Sequence, residues 1–180
     1  DRNTYSHKIL RIGYVSPDFN QHPVNYFLEG LLNHHDRDQF EIYAYSNVQD
    51  EDDVTQRLKK KFDHWRDIKT VDGDVAADLI AADQIDILVD LAGHTANNRL
   101  LVFARKPAPI QVTWLGYPAT TGMKAMDYRM TDIYAEPEGM TEHLSTETLW
   151  RLPNIFCCYG SQEKVPAVID HPPFEDNGYI

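Results

Sequence analysis

Apolar and polar positions change their period several times along the chain, and each change marks an element. Ile9-Leu10-Arg11-Ile12-Gly13-Tyr14-Val15 is an apolar, strand-like run that stops at Ser16-Pro17-Asp18. Residues 23–33 then place Val24, Phe27, Leu28 and Leu31 at i, i+3, i+4 and i+7, one face of an amphipathic helix. Residues 40–45 alternate as a strand, residues 54–65 read as a basic, exposed helix, and residues 75–82 as a second short helix. The run IDILVDLAG (85–93) is almost continuously apolar, as a strand covered on both faces must be. Residues 97–105 read as a helix that ends ahead of Pro107 and Pro109. Residues 110–116 and 127–131 complete the set as strands, and no internal repeat or low-complexity segment interrupts it.

Strands alternating with helices, the strands buried, predict an α/β fold: a parallel sheet with helices on both faces and IDILVDLAG at its centre. Ligands of such sheets gather at the carboxyl ends of the strands. That rule selects three loops, residues 16–22, 92–98 and 116–122, and predicts that His22, His94 and Tyr117 share one side of the sheet.

Composition narrows the function classes. Of 180 residues, 42 % are hydrophobic, enough for a real core, and 17 basic against 28 acidic residues give a formal charge of −11. This balance argues against a general nucleic-acid surface or an anionic-membrane surface. No apolar run approaches the roughly 20 residues of a membrane-spanning helix. Cys157 and Cys158 are adjacent, which speaks against a disulfide framework or a zinc site and fits a reducing cytoplasm. The chain starts at Asp1 and closes on Asn177-Gly178-Tyr179-Ile180, a turn leading into a strand, so it reads as a piece of a longer protein.

The first loop supplies Asp18 and His22, the latter directly before a proline that can open a helix. The positive end of a helix favours a neutral imidazole, the form a general base needs. The competing reading is that both residues cap the helix or sit in solvent. In the second loop, Gly93 allows a sharp turn while His94 and Thr95 present a ring and a hydroxyl; an ordinary strand-end turn has the same pattern. The third loop, LGYPATTG (115–122), has the Gly, Pro and Thr content of a phosphate or sugar cradle, and also of a plain connection. His34, His35 and His64 read as solvated surface, and no pair of carboxylates is spaced as in a hydrolase.

Together, LRIGYVSPDFNQHPVNYFLEGLL, ILVDLAGHTANNRLLVFARKPAPIQVTWLGYPATTGMKAMDY and ETLWRLP closely resemble the O-linked N-acetylglucosamine transferase/SPINDLY family, glycosyltransferase family 41. The resemblance implies a GT-B fold, two Rossmann-like halves facing across a cleft. Residues 8–158 would be the N-terminal half, and residues 159–180 a linker into a C-terminal half that holds most of the nucleotide. It also implies upstream tetratricopeptide repeats that present protein substrates. The activity it implies is inverting transfer of a sugar from a nucleotide donor to Ser or Thr hydroxyls of proteins, with no metal ion and no cofactor beyond the donor. The family's DFxxHP histidine falls on His22, as a catalytic or positioning group, and an acidic residue proposed for proton removal falls on Asp78. Where relatives carry a histidine further along that helix, Ala81 and Ala82 stand here, which puts a relay there in question. Asp18, Gly93, His94, Thr95, Tyr117, Pro118 and Thr121 map onto loops lining the cleft, with Ala119 where many relatives have glycine.

Two functions follow as expectations. One is half of a cytoplasmic protein O-glycosyltransferase, its donor either UDP-N-acetylglucosamine or GDP-fucose, with the isolated fragment inactive. The other is a Rossmann-like binding module without catalysis.

Overall fold

A computed structural model describes residues 9–160, together with Glu175 and Gly178. Seven strands form one sheet: β1 (Leu10–Ser16), β2 (Phe40–Ser46), β3 (His64–Asp67), β4 (Ile87–Asp90), β5 (Ile110–Thr113), β6 (Tyr128–Asp132) and β7 (Thr148–Leu152). Four α-helices connect the first five: α1 (Asn25–Asn33), α2 (Asp53–Lys59), α3 (Gly73–Ala82) and α4 (Leu100–Ala104). The strand order is β3-β2-β1-β4-β5-β6-β7, and every pairing is parallel. The expected parallel sheet is therefore present, and β4 is its middle strand, with Leu88, Val89 and Asp90 buried.

The chain first winds outward from β1 to β3, then returns to β4 beside β1 and winds the other way. Right-handed crossovers put the helices of the two halves on opposite faces. The side-chain period of two does the rest. Ile12, Tyr14, Ile42, Ala44 and Val89 pack with Leu28, Leu32, Val54 and Leu58 of α1 and α2. Val15, Tyr43, Tyr45 and Leu88 pack with Ala76, Ala77, Ile80, Val102 and Phe103 of α3 and α4. Between β1 and β4, the strands from which the chain departs in opposite directions, the sheet has a topological switch point. Its carboxyl side is where a ligand crevice opens in this architecture.

Some expectations require correction. The helix expected over residues 54–65 ends at Lys59, and residues 64–67 form the edge strand β3. Long-range partners override the local helical pattern: Phe62 is buried, the Asp63 carboxylate accepts the Ile42 N–H at 2.7 Å, and His64 stacks on Tyr43 with ring centroids 4.2 Å apart. The helix expected over 97–105 shrinks to α4, because Asn97 takes a left-handed φ of 58° and Asn98 caps the Leu100 N–H. β7 has no counterpart among the expected strands. Neither His35 nor His64 is simple solvated surface. His35 Nε2 lies 2.9 Å from the Tyr14 hydroxyl, with burial pushing its pKa down, and His64 lies 2.7 Å from Glu41.

Cys157 and Cys158 are free thiols. Among the described residues no helix is long and apolar enough to cross a membrane. The expected 159–180 linker falls almost entirely outside the described residues.

Candidate active site at the carboxyl edge

The loop leaving β1 is shaped by short-range bonds. The Ser16 hydroxyl accepts the Asp18 N–H at 3.0 Å, Phe19 is fully buried, and Asp52 accepts the Gln21 N–H at 2.7 Å. The first turn of α1 begins at once, the Asn25 N–H donating to the His22 carbonyl at 3.0 Å. His22 is thus carried into the site by a proline-opened helical turn. Its Nδ1 faces inward, accepting a long bond of 3.4 Å from the Val24 N–H and standing 3.9 Å from the Asp18 carboxylate. Nε2 has no partner among the described residues, and the side chain is 43 % exposed against 20 % for Asp18. Burial raises the pKa of the Asp18 carboxyl, and a charged His22 would pull it back. Val24, directly before the helix, makes no side-chain cap. Among the described residues, the long bond from its N–H to His22 Nδ1 is the one side-chain contact by which Asp18 or His22 reaches a first-turn N–H, so capping engages only one nitrogen of the ring, and weakly.

The loops leaving β4 and β5 interlock. Asp90, 1 % exposed, accepts the Ala92 N–H at 3.1 Å, the Gly93 N–H at 2.9 Å and the Thr113 hydroxyl at 2.8 Å. Gly93 has a φ of +55°, and a Cβ there would lie 2.3 Å from Tyr117 Cβ. A Cβ on Gly116 would lie 1.9 Å from the Leu91 carbonyl oxygen, so the two loops touch backbone to backbone. His94 Nε2 donates to the Thr121 carbonyl at 2.9 Å, and its ring meets Tyr117 edge to face at 5.4 Å. Thr121 is in turn held by the buried Glu147, which accepts its N–H at 2.7 Å, its hydroxyl, and the Thr120 hydroxyl at 2.6 Å. Asn47, at the end of β2, donates to the Asn97 carbonyl at 2.7 Å and ties the second loop to that side as well.

Because all seven strands are parallel, His22, His94 and Tyr117 lie at the same edge of the sheet, after β1, β4 and β5. His94 and Tyr117 are in contact. Gly93 is buried beneath them, Pro118 is exposed, and the Pro118 carbonyl accepts from Arg129 at 3.4 Å. Thr95 turns its hydroxyl back to the Ala92 carbonyl at 2.9 Å. Thr121, 3 % exposed, spends its N–H, hydroxyl and carbonyl on Glu147 and His94, so it braces the loop rather than offering a ligand a free group. Asp78 is kept apart. It is exposed in the middle of α3, on the face turned away from the buried Ala76, Ala77 and Ile80, and no partner approaches its carboxylate among the described residues.

Sequence reasoning missed Asp90 and Glu147, which hold the second and third loops. Asp90 carried a signal, a carboxylate closing an apolar run; Glu147 lies 27 and 26 residues from Thr120 and Thr121, which it holds, and carried none.

Comparison with known proteins agrees with this architecture. The model of glycosyl transferase family 41 matches residues 1–171. The probable UDP-N-acetylglucosamine--peptide N-acetylglucosaminyltransferase SPINDLY of Oryza sativa subsp. japonica is 47 % identical over 175 residues, which is 95 % of this chain and 19 % of that protein. The UDP-N-acetylglucosamine--peptide N-acetylglucosaminyltransferase of Caenorhabditis elegans is 39 % identical over 149 residues, 82 % of this chain and 13 % of that protein. A solved mutant O-GlcNAc transferase of Thermobaculum terrenum superposes with a TM-score of 0.81 at 47 % identity, covering 84 % of this chain and 29 % of that one. The chain thus spans less than a third of each of these relatives, yet the family's match runs through all seven strands and all three edge loops. The chain belongs to glycosyl transferase family 41.

Proposed function

We propose that this chain is one half of the catalytic region of a protein O-glycosyltransferase, which moves N-acetylglucosamine from UDP-N-acetylglucosamine to Ser and Thr hydroxyls of proteins. The observation that carries the reading is His22. Its ring stands beside the sheet's switch point, with Nδ1 turned toward Asp18 and Nε2 unengaged among the described residues. In the tautomer with its proton on Nδ1, toward Asp18 and in place of the long 3.4 Å contact from the Val24 N–H, the Nε2 lone pair is free to orient an acceptor hydroxyl, or to take its proton as the sugar carbon is attacked and the nucleoside diphosphate leaves. His94 and Tyr117 form the opposite wall, on loops held rigidly enough to fix where a ligand lies. Direct attack by the acceptor, with no enzyme-bound sugar, inverts the anomeric centre.

The donor assignment follows the activity for which the rice and nematode relatives are named. The nucleotide sugar is a substrate, and the reading calls on no metal or other cofactor. A C-terminal half would supply most nucleotide contacts, and upstream repeats would present the protein acceptor. Asp78, exposed on the outer face of α3, has no part in the reading.

The test is transfer by the full-length protein to a Ser/Thr peptide, with UDP-N-acetylglucosamine and GDP-fucose as parallel donors and with a chelator added. Transfer from the first donor that survives the chelator is expected, together with an inverted product by NMR. Preference for GDP-fucose would reassign the donor. Absence of transfer from either, with the nucleotide still bound, would favour a binding module. The 180-residue chain alone is expected to be inactive.

A further inference from the structure

α1 opens with an asparagine whose burial its helical position does not require. Asn25 is 1 % exposed, although it lies in the first turn of a helix that borders the candidate site. Its side-chain amide reaches back along the chain, and Nδ2 donates to the Asp18 carbonyl at 2.6 Å and to the Asn20 carbonyl at 2.6 Å. A primary amide has two N–H groups, and here each meets a carbonyl that the tight turn after β1 leaves pointing inward. The Asn25 backbone N–H holds the His22 carbonyl at 3.0 Å. A single residue therefore grips the chain on both sides of the 18–22 segment. The contacts that reach the His22 ring are long by comparison, a 3.4 Å bond from the Val24 N–H and a 3.9 Å approach of the Asp18 carboxylate. The ring's position follows the backbone, which Ser16 and Asp52 hold through the Asp18 and Gln21 N–H groups and Asn25 through the Asp18 and Asn20 carbonyls.

We propose that Asn25 is a positioning residue for His22: by bonding the Asp18 and Asn20 carbonyls it fixes the turn that aims the imidazole, without touching substrate itself. The inference rests on the catalytic reading of His22. The amide sets two donors on one atom between the two carbonyls, while its own Oδ1 is buried without a partner among the described residues. An aspartate of the same size would face them with oxygens, and an alanine would leave two buried carbonyls unpaired.

The test uses the full-length transferase with UDP-N-acetylglucosamine and a Ser/Thr peptide. Asn25→Asp changes donors to acceptors at constant volume. It is expected to lower kcat by about tenfold or more, since small misplacements of a reacting group are costly, while the donor KM stays within about twofold. The same substitution made in a His22→Ala background is expected to lower kcat no further, because a positioning residue has nothing left to position. If Asn25→Asp yields too little folded protein, Asn25→Ser, smaller and with one donor, takes the same two measurements and is expected to give an intermediate loss. Wild-type kcat in the single variant, or an equal further loss in the His22→Ala background, overturns the proposal, the latter showing a purely structural role. Failure of the underlying reading looks different: His22→Ala itself would then turn over at the parent rate.

Discussion

The loop after β1 and the loops after β4 and β5 reach the same edge of one sheet, yet they are held in opposite ways. In the second pair the polar side chains are consumed internally: Asp90 takes three donors, Glu147 takes three, and His94 donates to a backbone carbonyl. In the first, the backbone is fixed by Ser16, Asn25 and Asp52, while the ring of His22 keeps Nε2 unengaged among the described residues. A group that takes or orients a proton needs a free lone pair and a defined backbone; a wall that positions a ligand needs only rigidity. The division of the edge into a committed wall and an uncommitted ring is what the transferase reading requires.

Removing the uncommitted ring breaks the comparison most directly. In the full-length enzyme, His22→Ala is expected to cut kcat by about 10²-fold or more, the usual worth of a general acid–base group, with donor KM little changed. His22→Asn, which keeps hydrogen-bonding ability without the basic nitrogen, is expected to fall with it. Steady-state kinetics decides, and an Asn variant with the parent's turnover would reduce His22 to a loop-shaping role.

The wall is predicted to fail by unfolding rather than by loss of chemistry. Gly116→Ala drives a methyl to 1.9 Å from the Leu91 carbonyl oxygen, backbone that cannot step aside without parting the two loops. A loss of about 2 kcal/mol in stability is expected, as for overpacked sites, read by denaturant unfolding with tryptophan fluorescence. A variant as stable as the parent would mean that the loops are less tightly apposed than described.

Thr121→Val sharpens the distinction between bracing and binding. It deletes one donor to the buried Glu147 carboxylate while keeping the shape. About 1 kcal/mol of stability should be lost, with donor and acceptor KM unchanged once the protein is folded. A rise in KM alone would return Thr121 to the ligand.

The smallest expected effect separates the two buried carboxylates of the wall. Burial pushes the Asp90 carboxyl up, against the bonds from Thr113, Ala92 and Gly93. Burial also acts on Glu147, but the bonds from Thr120 and Thr121 outweigh it and hold its pKa below the ordinary value. A folded pKa above the unfolded one gives stability that is present at low pH and lost as pH rises through the folded value; a depressed one gives stability that is lost as pH falls through it. The stability advantage of the parent over Asp90→Asn should therefore shrink as pH rises through the raised Asp90 value. The advantage over Glu147→Gln should shrink as pH falls through the depressed Glu147 value. Unfolding curves across the acid range, measured for both variants, check the opposite signs.

The sheet, its parallel sense and the loops that matter were legible in the sequence, because their signals are local. The nearly continuous apolar run at 85–93 reads as a strand covered on both faces, and alternation such as Ile12 and Tyr14 against Val15 sorts side chains to two cores. The motif that places His22 is likewise contiguous. Tertiary structure alone decided the edges of the sheet and the bracing of the site. His64-Trp65-Arg66-Asp67 carries no alternating apolar pattern and became β3 only through pairing with β2, as β7 did through β6. Asp90 reaches Thr113 across 23 residues, and Glu147 reaches Thr121 across 26. A hydrogen bond is selected by where two groups arrive in space, and for pairs so far apart that depends on the packing of everything between them, so no spacing in the sequence announces it.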